Sequence, residues 1–296
     1  MNKIVVVMAS YNGEKYIRQQ IDSILNQEGV ELRLLVRDDG STDNTINILE
    51  EYQKKQKLEW YTGEHLNVAR GFLDLLKKAP EADYYAFCDQ DDIWKPKKLF
   101  SAIQMIDSIN EKRPIMYYSA TTLVDSELNF IAEHNIHEKR TDKARFLIND
   151  MSGNTIVFNK SLKEMLCKVQ DLDITIHDKW TLQLCLATGG RCIGDANSYI
   201  LYRQHASNTI GMELTLKDKI DKFFRIIKLP HDKHLDLLNE FYYDELIPTY
   251  KDLIVDGGKY PLDVKERLKI LFDKDINFDN IFFNLAFKIR TLRGIL

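Results

Sequence analysis

The chain has 296 residues, enough for one large domain or two with a sizeable core. Hydrophobic residues make up 44% and charged residues 29%, the balance of an ordinary globular protein rather than a disordered or fibrous one. The formal net charge of −4 offers no basic surface for DNA or RNA, so a nucleic-acid-binding function is not expected.

Membrane-spanning and disulfide-rich classes are not expected either. Residues 1–7 lead directly into an apolar run without the features of a secretory signal. No segment approaches the ~20 apolar residues that span a bilayer. The four cysteines include no C-x-x-C pair, which favours reduced, buried thiols over disulfides or zinc ligands. These features predict a cytoplasmic protein.

Strands and helices alternate through the first hundred residues. The predicted strands are Ile4 to Ala9, Leu32 to Val36, a short one near Leu58 to Tyr61, and Tyr84 to Cys88. Helices are predicted after the turn at residues 10–13, after a cap at Ser41 or Thr42, and from about Ala69 to Lys78. This alternation predicts a parallel sheet with covering helices.

Polar residues follow each of these predicted strands. Tyr11, Asp38, Asp39, Asp89 and Asp91 stand directly after strand ends, and ligands of such sheets bind at the carboxyl ends of the strands. The first strand is followed by neither a G-x-G-x-x-G fingerprint nor a Walker loop, so a dinucleotide or P-loop site is not expected. Phosphate would then be held by a metal ion and side chains.

The segment Asp89-Gln90-Asp91-Asp92 packs three carboxylates into four positions behind a buried strand. Hard oxygen ligands suit a Mg²⁺ or Mn²⁺ ion that also holds a phosphate. Alternation along an extended backbone places Asp89 and Asp91 on one side and points Gln90 away from them. A solvated acidic turn is the alternative that these residues alone leave open.

The remaining elements continue the alternation and then change character. The predictions are a helix from Pro96 to about Asn110, a strand from Ile115 to Leu123, a hairpin ending near His134, a loop or short helix at 135–150, a strand from Thr155 to Phe158, a helix near Lys160 to Cys167, a helix opening at His177, and a strand from Ser198 to Tyr202. Helices are predicted at 214–229, 233–245, 248–255, 262–273 and 279–293. An α/β domain at 1–211 and a helical C-terminal region at 212–296 are therefore expected.

Five separated motifs occur in one order: Ala9-Ser10-Tyr11-Asn12, Asp38-Asp39-Gly40-Ser41, Asp89-Gln90-Asp91-Asp92, His177-Asp178 and Arg203-Gln204-His205. Together they resemble the inverting family 2 glycosyltransferases of GT-A fold. Their wording is most similar to bacterial rhamnosyltransferases of surface polysaccharide synthesis. The resemblance covers residues 3–211 and implies a mostly parallel central sheet flanked by helices.

The resemblance implies a metal-dependent inverting transferase that moves L-rhamnose from dTDP-β-L-rhamnose onto a growing cell-surface or capsular polysaccharide. Two alternatives stay open: a UDP-hexose transferase (galactose, glucose or N-acetylhexosamine) of the same fold, or a non-catalytic module that binds a nucleotide sugar or glycan. A sugar nucleotidyltransferase would carry a glycine- and arginine-rich loop after the first strand, and this chain has none there.

Donor-binding roles are implied for one group of residues. Tyr11 would stack on a pyrimidine base and Asp39 would accept its N–H, while Asp38 is either a donor-site or a structural carboxylate. Arg70 would pair with a phosphate or with Asp89, or be an ordinary surface arginine. The full implied set is Ala9, Tyr11, Asp38, Asp39, Asn67, Arg70, Asp89, Gly153, Asn154, Arg203 and Asn208.

Metal, base and acceptor roles are implied for the others. Asp91 would bind the ion directly, with Asp89 and His205 as further candidates; His205 alternatively contacts the diphosphate. Asp178 would be the catalytic base oriented by His177; the alternative is that Asp178 is only a helix N-cap. The residues implied for the acceptor side or pocket wall are Asp92, Trp94 and Trp180.

The C-terminal segment combines an apolar face with basic residues. Ile281, Phe282, Leu285, Ile289 and Leu292 recur at helical spacing, and Lys288, Arg290 and Arg293 add positive charge. This pattern fits peripheral contact with an anionic membrane that presents a lipid-linked acceptor. Packing within the chain or in a homodimer explains it equally well.

Overall fold

The computed structural model describes residues 1–64, 66–149, 151–205, 216–257 and 262–295. Within these limits the chain forms two compact units. The first comprises Met1–Ile136, Met151–Thr181 and Gly190–Ala206, and the second comprises His137–Asp150, Leu182–Gly189 and Ser207–Leu296. The second unit thus includes two segments from the middle of the chain, His137–Asp150 and Leu182–Gly189. The predicted division between residues 211 and 212 assigns both segments to the first domain.

Strands and helices alternate through most of the first unit. The strands are β1 (Lys3–Ser10), β2 (Glu31–Asp38), β3 (Glu59–Thr62), β4 (Tyr84–Cys88), β5 (Ile93–Trp94), β6 (Ile115–Val124), β7 (Phe130–His134), β8 (Val157–Asn159) and β9 (Arg191–Arg203). The helices up to β9 are α1 (Ile17–Leu25), α2 (Thr45–Lys54), α3 (Val68–Lys78), α4 (Lys98–Ile109), α5 (Asp142–Leu147), α6 (Lys160–Leu166) and α7 (His177–Ala187).

The described strands form one sheet in the order β3-β2-β1-β4-β8-β6-β9-β5, with β7 paired to β6. β1 runs parallel to β2 and β4, and β2 runs parallel to β3. Beyond β4 the sheet is mixed, because β8 is antiparallel to both of its neighbours whereas β9 is parallel to β6. The α/β class with a mostly parallel central sheet and flanking helices is therefore confirmed.

Apolar burial explains why β1 lies inside the sheet, between β2 and β4. Residues 4–8 of β1 are at most 1% exposed, as expected for a strand covered on both faces. α1 turns Ile17, Ile21 and Ile24 into the same core, and these positions recur at helical spacing.

The sheet differs from the prediction at β5, which was not predicted, and in the bounds of β8 and β9. β9 begins at Arg191, seven residues before the predicted strand, and its early part is rich in polar side chains that give little strand signal. Pairing of that part with β6 makes it a strand. The predicted strand at Thr155 is instead a 3₁₀ turn over Gly153–Thr155 followed by β8.

The second unit is helical in its described C-terminal part, as predicted. Its helices there are α8 (Leu216–Lys228), α9 (Lys233–Phe241), α10 (Pro248–Gly257), α11 (Val264–Leu271) and α12 (Ile281–Leu292). Across the described ranges, no helix combines the length and apolar character needed to cross a membrane.

The start of α7 is fixed by the ring of His177. This ring stacks on Phe72 of α3, with 4.1 Å between centroids, and meets the edge of Phe87 of β4 at 4.9 Å. A Cβ on Gly153 would lie 2.8 Å from His177 Nε2, so glycine permits this close approach. Burial lowers the pKa of His177 to about 3. The ring is therefore a neutral wedge between α3, β4 and α7.

This wedge predicts a pH-dependent loss of stability. The unfolded chain binds the proton near pH 6.5, whereas the folded protein resists it until about pH 3. The contribution of neutral His177 to the free energy of unfolding is complete above pH 6.5. It is lost as the pH falls toward 3, at up to about 1.4 kcal/mol per pH unit. In His177→Phe, the free energy of unfolding should fall less steeply between these values. Urea denaturation at a series of pH values measures both slopes, and parallel curves would contradict the assignment.

Candidate active site

The sheet brings the predicted donor-site strands to one edge. Ser10 of β1 lies opposite Asp38 of β2, and Met8 of β1 lies opposite Cys88 of β4. Because these strands are parallel, the loops after them open at the same edge. The predicted residues at or just beyond these strand ends are Ala9, Tyr11, Asp38, Asp39, Asp89 and Asp91.

The side chain of Gln90 joins the Tyr11 turn to the acidic loop. The backbone N–H of Tyr11 donates to Gln90 Oε1 at 3.0 Å, and Gln90 Nε2 donates to the Tyr11 carbonyl at 3.0 Å. A Cβ on Gly13 would overlap the same amide, so glycine at this position leaves room for the Gln90 bridge. The Tyr11 side chain is 48% exposed, which leaves ring surface for stacking on a planar base.

Asp38 and Asp39 have different surroundings although they are adjacent. Asp38 is fully buried and accepts hydrogen bonds from the hydroxyls of Ser10 and Ser41 and from the N–H groups of Gly40 and Ser41. These bonds favour the alternative of a structural carboxylate of the turn, and the donor-binding role of Asp38 stays a prediction. Asp39 keeps 11% side-chain exposure and forms an ion pair with buried Arg37.

The start of α3 places Asn67 and Arg70 beside the edge. Asn67 is the N-cap, since its Oδ1 accepts from the Arg70 N–H at 2.8 Å. Its Nδ2 donates to the carbonyl of Ile174 at 3.4 Å, which ties the cap to the loop before α7. The Arg70 side chain is partly exposed. It remains a prediction as a phosphate ligand.

Carboxylates accumulate around Asp89. Burial, together with the charges of Asp91 and Asp178, raises the pKa of Asp89 to about 7. Asp91 follows β4, whereas Asp178 stands in the first turn of α7, 87 positions later in the chain. The fold therefore brings the predicted metal ligands and the predicted base into one electrostatic neighbourhood. Such a concentration of negative charge favours a bound cation.

Asp91 has an imidazole neighbour. His205 Nε2 lies 3.0 Å from Asp91 Oδ2, and the His205 ring stacks on Tyr16 with centroids 5.0 Å apart. Asp91 and His205 keep 20% and 13% side-chain exposure, so both are reachable from solvent. A carboxylate and an imidazole within hydrogen-bond distance can present an oxygen and a nitrogen to one ion.

These residues fit a divalent ion that shares its ligands with a diphosphate. No group of three or more His, Cys, Asp or Glu side chains within the described ranges forms a complete metal-binding set. Mg²⁺ in phosphate-handling sites is usually held by one or two carboxylates together with substrate phosphates and water, so a partial protein set suffices. Asp91 would hold the ion, with His205 and Asp89 beside it.

Arg203 serves the fold rather than a ligand. It is 2% exposed, and its guanidinium donates to the carbonyls of Asp91 and Ser126 and to Gln19 Oε1 at 2.5–2.8 Å. It also lies over the Tyr16 ring at 4.4 Å. These bonds do not support its implied donor-binding role, because the guanidinium donors are directed to protein oxygens, and that role stays a prediction. Asn208, predicted beside it, lies outside the described residues.

Asp92 is structural as well. It is fully buried and accepts from Asn154 Nδ2 at 2.5 Å and from the Arg203 N–H at 3.1 Å. Burial raises its pKa well above the usual value, and Asp91 and Asp89 add to this. The predicted acceptor contact of Asp92 and the donor-pocket roles of Asn154 and Gly153 gain no support here, since Asn154 is 2% exposed and Gly153 faces His177. They stay predictions.

The two tryptophans predicted at the pocket wall are core residues. Trp94 is 2% exposed in the main hydrophobic cluster, with Lys98 Nζ 3.5 Å from its ring centroid. Trp180 is fully buried one turn into α7. Their burial leaves no side-chain surface for an acceptor, and aromatic size explains why the core takes them.

Asp178 occupies the position that the predicted base requires. Its residue is 9% exposed in the first turn of α7, directly after the His177 wedge. The N-terminal end of the helix dipole favours an ionised carboxylate there. Asp178 Oδ1 accepts from the N–H of Lys179 at 2.6 Å. Its role as the base stays a prediction.

Three residues at this edge were missed from the sequence: Arg37, Tyr16 and, in its bridging role, Gln90. Arg37 is 1% exposed although it directly precedes the Asp38-Asp39 pair. An arginine directly after the apolar run Leu34-Leu35-Val36 was the available signal, because a buried charge needs partners nearby.

Comparison with known proteins identifies the family of the chain. Residues 5–165 match the model of glycosyl transferase family 2. The dTDP-rhamnosyl transferase RfbG of Shigella flexneri is 30% identical over 224 residues, which cover 72% of this chain and 76% of that protein.

Two solved structures share the fold at low identity. The S. aureus TarS structure in complex with UDP-GlcNAc has a TM-score of 0.56 and 16% identity, covering 98% of this chain and 89% of that one. The mannosyltransferase PcManGT of Pyrobaculum calidifontis, in complex with GDP-Man and Mn²⁺, has a TM-score of 0.53 and 17% identity, covering 85% and 68%. The motifs, the sheet and these matches together show that the chain is a GT-A-fold glycosyltransferase of glycosyl transferase family 2.

Proposed function

We propose that this glycosyltransferase is metal-dependent and inverting, and that it transfers L-rhamnose from dTDP-β-L-rhamnose to a growing surface polysaccharide. The observation that carries the mechanism is the shared influence of Asp91 and Asp178 on Asp89. This supports a mechanism in which an ion held by Asp91 and a base at Asp178 would act on one neighbourhood. Similarity to the dTDP-rhamnosyl transferase RfbG supports the choice of donor.

The nucleotide would lie across the carboxyl ends of β1 and β2 and against the loop that leads into α3. Tyr11 offers a half-exposed ring for the base, and Asp39 offers a partly exposed carboxylate for a base N–H. Arg70, in the first turn of α3, is the candidate cation for a phosphate oxygen. The diphosphate would then reach Asp89 and Asp91.

Asp178 would act as the general base. It removes the proton from the acceptor hydroxyl while that oxygen forms a bond to C1 of the sugar, and the C1–O bond to the diphosphate breaks on the opposite face. A divalent ion at Asp91 would supply positive charge to the departing diphosphate. His177 holds the start of α7 through its contacts with Phe72 and Phe87 and so orients Asp178.

A UDP-hexose donor is the alternative. The fold is shared with TarS, whose structure is in complex with UDP-GlcNAc, so the fold is compatible with such a donor. Incubation with dTDP-rhamnose, UDP-glucose, UDP-galactose and UDP-N-acetylglucosamine, followed by measurement of the released nucleotide diphosphate, distinguishes the two. Turnover of UDP-sugars alone would replace the rhamnose proposal and leave the mechanism intact.

Replacing the base should abolish transfer without abolishing donor binding. Asp178→Asn should lower the rate of nucleotide release by about 10²- to 10⁴-fold, because the amide cannot accept the acceptor's proton. Donor affinity, measured by calorimetry, should change little. Asp173→Asn in the exposed loop before α7 is the matched control and should keep wild-type turnover. Wild-type turnover by Asp178→Asn would remove Asp178 from this role.

Removing the ion should weaken nucleotide binding. With EDTA, the affinity for dTDP or UDP should fall by about tenfold or more, since the diphosphate loses its cation. Mn²⁺ or Mg²⁺ should restore it, and Asp91→Asn should bind nucleotide weakly with or without the ion. Calorimetric titrations in EDTA and in each metal measure this. Equal affinity of the wild type in EDTA and in Mn²⁺ would contradict metal dependence.

The second unit would meet the cytoplasmic side of the membrane, where a lipid-linked acceptor is presented. On α12, Ile281, Phe282, Leu285 and Leu292 are 49–83% exposed. Lys288 and Arg293 are exposed as well. Arg290 does not add to this surface, because it is buried and donates to the carbonyls of Leu229 and Pro230.

Vesicle binding tests this contact. The protein should co-sediment with vesicles containing phosphatidylglycerol more than with phosphatidylcholine alone, because apolar insertion and charge attraction act together. Ile281→Ser with Phe282→Ser should reduce binding severalfold. Phe130→Ser, which changes a 66%-exposed phenylalanine on β7, is the control and should bind as the wild type does. A homodimer in solution that the α12 changes dissociate, without vesicle binding, would assign this surface to self-association instead.

A further inference from the structure

Arg37 is a buried arginine whose guanidinium is enclosed by three elements. It is 1% exposed near the end of β2. Nη1 contacts the carboxylate of Asp39, Nε donates to Asp74 Oδ2 of α3 at 3.1 Å, and Nη2 donates to the carbonyl of Glu64 after β3. The guanidinium therefore has partners on β2, on α3 and on the chain between them.

Two glycines make room for this group. A Cβ on Gly63 would overlap the guanidinium, and a Cβ on Gly71 would lie 3.2 Å from Nη1. The backbone before and within α3 thus approaches Arg37 more closely than any other residue type allows. The space is shaped for an arginine in one orientation.

Asp74 is itself held in place. Its Oδ2 accepts from the hydroxyl of Tyr61 at 2.7 Å and from Lys78 Nζ at 3.1 Å. The far side of the guanidinium is therefore anchored by a carboxylate that cannot easily turn away. On its other side the guanidinium contacts one carboxylate, that of Asp39, and can orient it.

Asp39 differs from Asp74 in that it stands on the donor edge. It follows β2 directly and retains 11% side-chain exposure. A carboxylate paired with a guanidinium stays ionised and can only accept hydrogen bonds. It would attract the ring N–H of uracil or thymine and repel cytosine, whose ring nitrogen at that position is an acceptor.

We propose that Arg37 is a positioning residue that fixes Asp39 in one orientation and so makes the site selective for uracil and thymine nucleotides over cytosine nucleotides. The clamp of Arg37, Asp39 and Asp74 is the structural basis of this selectivity. The inference rests on the proposed function, because it requires that a nucleotide occupies this edge.

The test compares affinities for UDP, dTDP and CDP by calorimetry in the presence of Mn²⁺. The wild type should bind UDP and dTDP at least about tenfold more tightly than CDP, the size expected from one charge-assisted hydrogen bond. Arg37→Met should bring the ratio of affinities close to one. Its affinity for inorganic pyrophosphate should stay within about twofold of the wild type.

Further variants separate positioning from general stability. Arg37→Lys should restore part of the ratio, since an ammonium can still pair with Asp39 but cannot bridge all three partners. Asp39→Asn should bind CDP better than UDP, because a carboxamide can offer an N–H to cytosine. Combining Arg37→Met with Asp39→Asn should cause no additional loss of UDP affinity beyond Asp39→Asn. Arg140→Met, which removes a 2%-exposed arginine from the second unit, is the control and should keep the wild-type ratio.

Each outcome of these measurements either supports or overturns the positioning role of Arg37. A folded Arg37→Met protein with the wild-type ratio overturns the proposal, as does a wild type that binds CDP as tightly as UDP; in both cases nucleotide binding stands. If Arg37→Met does not fold, Arg37→Lys and Asp74→Asn replace it, and an unchanged ratio in both overturns the proposal. If the wild-type protein binds none of these nucleotides, the proposed function itself is contradicted.

Discussion

Repulsion between carboxylates at the carboxyl edge of the sheet is the constraint on which the rest of this structure depends. Asp89, Asp91 and Asp178 influence one another closely enough that Asp89 has its pKa raised to about 7 by burial together with its two neighbours. Isolated charges of one sign are unfavourable where water is scarce. A site of this kind is stable only when a cation joins it or when a proton is retained.

The fold deals separately with the other acids of the two motifs. Asp38 is satisfied by serine hydroxyls and turn N–H groups, and Asp92 by Asn154 and the Arg203 backbone. Each of these carboxylates stiffens the loop that carries the neighbouring, more exposed acid. The pairs Asp38-Asp39 and Asp91-Asp92 thus divide their work in the same way, with one buried carboxylate shaping the turn and one partly exposed carboxylate facing the donor edge.

Buried arginines complete the division. Arg203 connects the acidic loop to β9 through the Asp91 carbonyl, and Arg37 connects the end of β2 to α3 through Asp39 and Asp74. A planar guanidinium with five donors can satisfy several carbonyl and carboxylate oxygens at once. Both arginines therefore act as fixed connectors behind the site, and the His177 wedge between Phe72 and Phe87 does the same for α7 by packing alone.

Local sequence determined the order of strands and helices and the family motifs, because hydrophobic periodicity and turn residues act over short distances. It also determined which edge of the sheet carries Tyr11, Asp39, Asp89 and Asp91. The bounds of β9, the burial of Trp94 and Trp180, and the fates of Asp38, Asp92 and Arg203 were decided only by tertiary structure. A carboxylate or guanidinium has the same chemistry in a loop or a core, and its role depends on which distant donors or acceptors the fold brings to it. Asp178 illustrates both levels: its motif named it, and the packing of α7 brought it beside Asp89, 89 positions away in the chain.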